Sequence, residues 1–253
     1  MISKNIVNIL ILLIYISCSG TRLENDISLK DKFSSGMTNL ENEKFLNAQS
    51  DFKYVVSRGT GTELGDDAQY YLGESYFRNK EYLLAVAEYE KLTRRMGFSP
   101  FVEDARFKIC ESYKIESPKY YHDQDYTEKA IQRFQEFLDD FPKSTLKNEA
   151  MMSIELLRNK LAKKLYETGI LYIKLDEHES AKLSFQLVID EYYDTDIFHH
   201  AQQGIIVALA NNKELINAEN LLKQNEQALK ENNLYEKAID SIEKAKKQVT
   251  AKQ

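Results

Sequence analysis

Two cysteines and a pair of adjacent histidines are the side chains that could carry nucleophilic or metal chemistry. A catalytic cysteine needs a neighbouring base or cation that lowers the pKa of its thiol, and Cys110 has no histidine or second cysteine nearby in sequence. His199 and His200 project about 100° apart on a helix, so they cannot ligate one metal ion without carboxylates that the local sequence lacks. There is also no nucleophile elbow, zinc-protease motif or Gly-rich nucleotide turn. We therefore expect no catalytic residues, no metal and no cofactor, and we predict that the protein is not an enzyme.

Cys18 stands in a different context, because it follows a leader. Residues 1–17 hold one basic residue, Lys4, and then an apolar run that is too short to cross a membrane as a helix. Residues 15–18, Tyr-Ile-Ser-Cys, resemble the bacterial lipobox, whose cysteine is acylated and becomes the new amino terminus. The resemblance predicts lipidation, including palmitate, at Cys18, and by analogy with enteric lipoproteins Ser19 favours the outer membrane. The alternative is an uncleaved leader in which Cys18 is an ordinary hydrophobe.

Composition and charge narrow the class of protein. With 9 Gly, 3 Pro and no run of alternating β-branched residues, the sequence favours helices over strands. The formal net charge of −6 disfavours binding to nucleic acid, which requires a basic surface. The 16 Tyr and 12 Phe residues could in principle stack on bases, but most of them recur at helical spacing, which is typical of a core.

The clearest internal pattern lies in residues 68–97. Gly73, Tyr76, Ala85, Tyr89 and Leu92 are spaced so that they line two helices separated by a break at residues 79–80. Small residues stand where two helix backbones come closest, so that rings can fill the space between hairpins. This spacing resembles the tetratricopeptide repeat, which is a helical hairpin.

Four further segments carry the same offsets, although Asn39 stands where the first copy would have an aromatic residue. The copies are Gly36, Ala48, Phe52 and Val55; Cys110, Tyr113, Ala130, Phe134 and Phe137; Gly169, Tyr172, Ala181, Phe185 and Val188; and Ile206, Leu209, Ala218 and Leu222. A solenoid needs roughly three units to bury its hairpin faces. The sequence therefore predicts an all-α superhelix of about five tetratricopeptide-like hairpins. An apolar period through residues 144–174 predicts a long helix that joins repeats three and four.

These patterns divide the chain into four parts. We expect a lipoprotein signal peptide at residues 1–17 and a polar tether at residues 18–27. The repeat solenoid should span residues 28–225. Residues 226–253 should form a capping helix and a frayed tail.

Two connections carry more rings and charges than the hairpin pattern requires. Residues 94–101 read Arg-Arg-Met-Gly-Phe-Ser-Pro-Phe, and their rings either staple the start of the next helix or form a pocket for a partner. Residues 114–126 form an insertion in the third repeat, and a long loop of this composition is a candidate recognition element. The residues that we assign to partner recognition there are Tyr120, Tyr121, Asp123 and Asp125.

Several of these stretches resemble the YfiO family of lipoproteins of the outer-membrane β-barrel assembly machine. Residues 134–162, FQEFLDDFPKSTLKNEAMMSIELLRNKLA, resemble its proline-ended repeat, long helix and Leu-Arg/Asp-x-Leu-Ala step. Asp123-Gln124-Asp125 resembles the acidic motif of its inserted loop, and residues 97–101 resemble its aromatic-proline turn. The resemblance covers about residues 28–225.

The resemblance implies a scaffold that is held by its lipid at the periplasmic face of the outer membrane. Its implied partners are the barrel-forming subunit, through that subunit's periplasmic docking domains, and unfolded outer-membrane protein segments, through their aromatic C-terminal ends. By resemblance the later repeats meet the barrel subunit, and the client peptide is faced by Arg94, Arg95, Phe98, Pro100 and Phe101. The alternative is a lipoprotein adaptor of the same repeats in another envelope complex, such as one for cell-wall coordination or a secretion pilotin.

Overall fold

The computed structural model describes residues 28–251, so the predicted signal peptide, Cys18 and the tether lie outside the described residues. Within this range the chain forms helices joined by turns and loops, with no strand. The helices are α1 (Leu29–Glu41), α2 (Phe45–Arg58), α3 (Glu63–Arg78), α4 (Tyr82–Arg95), α5 (Val102–Glu116), α6 (Asp125–Asp140), α7 (Lys147–Lys174), α8 (His178–Glu191), α9 (Phe198–Asn211), α10 (Leu215–Gln224), α11 (Glu226–Glu231) and α12 (Tyr235–Thr250).

The helices stack in chain order, as the repeat pattern predicts. From α1 to α10 each helix packs against the next, and α1 also contacts α3 while α7 contacts α9. Contacts between the first helices of successive hairpins are what a superhelix of stacked hairpins requires. After α10 the chain turns back, and α12 packs on α9 and α10.

The repeat signature is a steric pairing of a glycine with a ring. A Cβ added to Gly73 of α3 would lie 2.5 Å from the Tyr89 ring of α4, closer than atoms can approach without a shift. Gly169 of α7 and Gly204 of α9 face Phe185 of α8 in the same way, at 2.5 and 2.8 Å. Phe185 therefore fills the space between two hairpins, as the sequence predicts for these rings.

Five of the hairpin turns share one backbone conformation. Each contains a non-glycine residue with φ between 57° and 64°, in the left-handed region that lets the chain reverse within a few residues. These residues are Glu43, Lys80, Asp176, Lys213 and Asn233.

The third hairpin instead carries the predicted insertion, which is shorter than the sequence indicates. Because α5 continues to Glu116 and α6 begins at Asp125, the connection comprises residues 117–124 rather than 114–126. We call this segment the recognition loop.

The long helix α7 joins two separate hydrophobic clusters. Ala150 and Leu157 belong to a cluster with α5 and α6, whereas Ala162 belongs to one that extends through α8, α9 and α12. At 28 residues, α7 is about 42 Å long, so it spans both. A third cluster fills the first two hairpins. Of the aromatic residues that the repeat places in the core, Tyr76, Tyr89 and Phe134 are buried and Tyr113 is half-buried.

The first hairpin uses a polar cluster where the repeat pattern expects a ring. Asp51 is 6 % exposed, and its carboxylate accepts hydrogen bonds from Lys32 Nζ, Ser35 Oγ and Asn39 Nδ2 at 2.7, 2.7 and 2.9 Å. Burial alone would raise the pKa of Asp51, but these donors outweigh it and hold the pKa below its ordinary value. Asn39 thus replaces aromatic packing with a hydrogen bond.

No helix within residues 28–251 has the length and apolar character needed to cross a membrane.

Candidate functional site

The residues predicted to face a client lie at the end of α4 and in the turn before α5. Arg94 and Arg95 are exposed in the last turn of α4, where cations interact favourably with the helix dipole. Arg94 also pairs with Glu90 one turn earlier, with 3.4 Å between Nη2 and Oε2. Both side chains are exposed to solvent, so a polypeptide that binds there can reach their guanidinium groups.

The two phenylalanines of this turn have different roles. Phe101 stacks on Tyr70 of α3, with ring centroids 4.4 Å apart and an interplanar angle of 12°, so its ring fixes the start of α5. Phe98 is fully exposed, and Pro100 is exposed. The stapling interpretation therefore describes Phe101, whereas Phe98 is the ring that a partner can reach.

The residues assigned to partner recognition lie in the recognition loop and at the first residue of α6. Asp123 Oδ1 accepts a hydrogen bond from the backbone N–H of Asp125 at 3.0 Å. The acidic motif therefore shapes the start of α6, where a carboxylate is favourable. Tyr121 is 58 % exposed, and Tyr120 is half-buried.

Lysines on one side of α7 hold the recognition loop in place. Lys160 Nζ donates to Ser117 Oγ at 2.7 Å and to the Ser117 carbonyl at 3.3 Å. Lys164 Nζ donates to the carbonyl of His122 at 2.9 Å, and Lys163 Nζ lies 4.8 Å from the centre of the Tyr120 ring. Burial lowers the pKa of Lys160. The loop is thus fixed at both ends by cations rather than left free in solvent.

A buried glutamine organises the loop from within. Gln124 Nε2 donates to the carbonyls of Lys119 and His122, both at 3.0 Å, and Gln124 Oε1 accepts from Thr127 Oγ1 at 2.8 Å. Because the Thr127 hydroxyl donates to Gln124, the 2.5 Å contact between Thr127 Oγ1 and Ser117 Oγ has Ser117 as its donor. Ser117 in turn accepts from Lys160, so one hydrogen-bonded chain joins α6 to α7.

Two grooves flank the exposed side of α7. The first lies between α7, the recognition loop and the turn before α9, and has a volume of about 450 Å³. The second has a volume of about 660 Å³ and contains the exposed apolar side chains of Met151 and Met152. Arg158, which pairs with Asp194 at 2.6 Å, and Asn159, which accepts from the Asp196 N–H at 3.0 Å, hold the turn against the helix between them.

The structure does not bring the two predicted surfaces together. Residues 96–101 precede α5 and the recognition loop follows it, so a helix of 15 residues, about 22 Å long, separates them. They form two surfaces rather than one site.

The role of α7 in holding the recognition loop is not predicted by the repeat pattern. A sequence pattern could have predicted this role. Polar and apolar residues recur three or four positions apart along α7, and a helix that packs on the core with one side leaves such residues on its other side for a partner or a loop. Those residues are Met152, Leu156, Lys160, Lys163 and Lys164.

Cys110, His199 and His200 each lie within hydrogen-bonding distance of an oxygen atom of the protein. The Cys110 thiol donates to the carbonyl of Arg106 at 3.2 Å, and burial raises its pKa to about 12, so it stays protonated at neutral pH. His199 Nδ1 lies 2.9 Å from Gln202 Oε1, and His200 Nδ1 lies 3.3 Å from the Asp196 carbonyl. Within residues 28–251, no three His, Cys, Asp or Glu side chains are grouped so that they could hold a metal ion.

Stacked hairpins with exposed loops and grooves define a helical-repeat protein of the tetratricopeptide type. A sequence profile of the YfiO family, described as an outer membrane lipoprotein, matches residues 25–229, and the chain belongs to this family.

The chain is also similar to individual proteins. The chain is 24 % identical over 187 residues to the outer membrane protein assembly factor BamD of Rickettsia prowazekii (strain Madrid E), which covers 70 % of this chain and 72 % of that protein. Among solved structures it is similar to the MamA protein, with 16 % identity and a TM-score of 0.37 over 86 % of this chain and 89 % of that one. It is also similar to the tetratricopeptide domain of P58(IPK), with 12 % identity and a TM-score of 0.44 over 89 % and 66 % of the two chains.

Proposed function

We propose that this protein is a scaffold of outer-membrane protein assembly, anchored by a lipid on Cys18 at the periplasmic face of the outer membrane. It binds the barrel-forming subunit of the assembly machinery and unfolded outer-membrane protein segments. The observation that carries the proposal is the family match over residues 25–229, which spans α1 to α10. The name of the Rickettsia relative supports the same role.

The arrangement of exposed surfaces suits a scaffold. A protein that holds a machinery subunit and a client at the same time needs two surfaces that do not compete. The turn around Phe98 and the recognition loop lie about 22 Å apart along α5, and both present exposed aromatic side chains. Aromatic side chains are enriched at protein interfaces relative to the rest of the surface.

Depletion of the protein tests the proposed role. If it assembles barrels, the level of outer-membrane β-barrel proteins falls after depletion, and purification of the native complex recovers a large β-barrel subunit. Normal barrel levels together with a complex that lacks such a subunit would favour an adaptor for another envelope assembly. Labelled palmitate should enter the wild type and should not enter a Cys18→Ala variant, and labelling of both would remove the proposed anchor.

Client binding is tested by changing Phe98 separately from Phe101. Because Phe98 is fully exposed, Phe98→Ala should leave thermal stability unchanged and reduce photocrosslinking of an unfolded client peptide. Ile216→Ala, at an exposed apolar residue of α10, is the matched control. Phe101→Ala also removes the stacking on Tyr70, so it is expected to lower stability and cannot report on binding alone. Unchanged crosslinking of Phe98→Ala would remove this turn from the client surface.

A further inference from the structure

The groove of about 450 Å³ beside α7, which we call the lysine groove, combines an apolar lining with a basic rim. Leu156 is 58 % exposed within it, although contact with water is energetically unfavourable for a large aliphatic side chain. Its apolar lining comprises Tyr120, Leu156 and Ile197, and its rim comprises Lys119, Lys160 and Lys163.

Within the described residues, none of the three rim lysines forms an ion pair with a carboxylate. Lys160 hydrogen-bonds to the uncharged oxygens of Ser117, and Lys163 lies over a ring, and neither forms an ion pair within residues 28–251. Lys119 is exposed and likewise has no ion pair in the described part of the chain. Among the described residues, Asp196 is the one acidic residue that lines the groove.

Some lysines elsewhere in residues 28–251 do pair with carboxylates. Lys91 and Lys108 each pair with a glutamate at 2.8 Å, and Lys182 does so at 2.6 Å. The chain as a whole has a net charge of −6. Because three lysines and one aspartate line it, the lysine groove is a positive region on an acidic protein, and its charge favours an anionic ligand.

We propose that the lysine groove binds a short acidic polypeptide segment with a large apolar side chain next to its carboxylates. The apolar side chain covers Leu156 and Tyr120, and the carboxylates face Lys119 and Lys163. Lysine ammonium groups on flexible stems suit side-chain carboxylates whose positions vary along a peptide.

A polypeptide fits these observations better than a lipid surface does. An anionic membrane would meet the acidic remainder of the molecule as well as the groove and would be repelled by it. A short peptide would meet only the local lysines. The inference goes beyond the proposed function, because it assigns a ligand chemistry to the recognition loop and holds whether or not the partner belongs to barrel assembly.

A peptide with blocked ends tests the proposal. The probe is fluorescein-labelled Gly-Asp-Glu-Phe-Asp-Glu-Phe-Gly, and its binding to the full-length protein in nonionic detergent is followed by fluorescence anisotropy. We expect saturable binding that weakens as salt is added. In Lys119→Glu/Lys163→Glu the affinity should fall by about tenfold or more, because two attractive contacts become repulsive.

Charge exchange and a matched control separate this effect from damage to the fold. A probe with lysine in place of each acidic residue should bind the double variant more tightly than the wild type. Lys237→Glu/Lys247→Glu makes the same change of net charge on exposed positions of α12 and should leave the affinity unchanged within about twofold. Leu156→Ser should weaken binding of the acidic probe without lowering the melting temperature, because this side chain is already exposed.

Several results would overturn the proposal. They are absence of binding by the wild type, equal losses in the groove and α12 variants, failure of the charge exchange, and displacement of the probe by anionic phospholipid added as mixed micelles with the same detergent. None of them alters the depletion experiment, so failure of this inference is distinguishable from failure of the proposed function.

Discussion

At the scale of single residues, the stacking of the helices depends on glycines such as Gly73, where a side chain would collide with a ring of the next helix. Tyr89 has no exposed surface, and its hydroxyl donates to Glu74 Oε1 at 2.6 Å, so its ring cannot move away from Gly73. A methyl group at Gly73 would have to displace the ring or the helix.

Gly73→Ala is therefore expected to destabilise the protein, although alanine is the better helix former. Overpacking in a filled core costs about 1–3 kcal/mol, and alanine regains up to about 1 kcal/mol of helix propensity, so we expect a net loss of about 1–2 kcal/mol. Denaturant unfolding followed by circular dichroism measures it. Gly97→Ala is the control, since a Cβ there meets nothing within 4 Å. Equal stability of the two variants would show that the close approach is not a constraint.

Asp51 gives the stability a dependence on pH. Its pKa is depressed in the folded state, so its stabilising effect is fully present above the unfolded pKa of about 3.9 and is lost as the pH falls through the lower folded value. Asp51→Asn should cost about 1–3 kcal/mol at pH 7, because hydrogen bonds to a charged group are replaced and Lys32 loses its partner.

Urea unfolding between pH 7 and pH 3 tests this prediction. The difference in unfolding free energy between the wild type and Asp51→Asn should narrow below about pH 4. Asp139→Asn, at an exposed position of α6, should have the same unfolding free energy as the wild type at each pH. A gap that stays constant with pH would mean that the charge of Asp51 is not what stabilises the first hairpin.

At the scale of elements, α7 performs two tasks. Its buried side joins two clusters, and lysines on another side hold the recognition loop. Loops that are fixed in this way bind partners with less loss of conformational entropy than mobile ones.

Lys160→Met should release the recognition loop while keeping an apolar stem on α7. Loss of the hydrogen bonds to Ser117 should speed amide hydrogen exchange in residues 117–124 by about fivefold, the factor that about 1 kcal/mol produces. Lys174→Met, at the exposed end of the same helix, is the control. Mass spectrometry of the exchanged protein gives the readout, and unchanged exchange in the loop would contradict its anchoring by Lys160.

At the scale of the whole molecule, stability should be divided along the stack. Each hairpin packs on its neighbours, and the buried hydrophobic side chains of residues 28–251 form three clusters rather than one core. In such an arrangement, damage at one end need not reach the other.

Phe52→Ala tests this division. Phe52 is fully buried in the cluster that fills the first two hairpins, and its truncation should cost about 3–5 kcal/mol there. Amide protection should fall in α1 to α3 and remain in α8 to α12. Tyr193→Ala, at an exposed residue after α8, should change neither region. Loss of protection along the entire chain would show that the molecule unfolds as a single unit.

The sequence by itself determined the helical class, the hairpin unit and the long helix. The reason is that contacts in this fold are local: Gly73 meets Tyr89 sixteen positions later, so a fixed spacing in one dimension specifies the packing. The family resemblance could be recognised for the same reason.

Only the tertiary structure decided how the surfaces are made. Phe98 and Phe101 belong to one motif, but Tyr70 on another helix makes one ring structural and leaves the other exposed. Lys160 meets Ser117 across 43 positions, a separation that no repeat period encodes. Side chains that converge from distant parts of the chain are positioned by packing, and packing is a property of the folded molecule rather than of any local pattern.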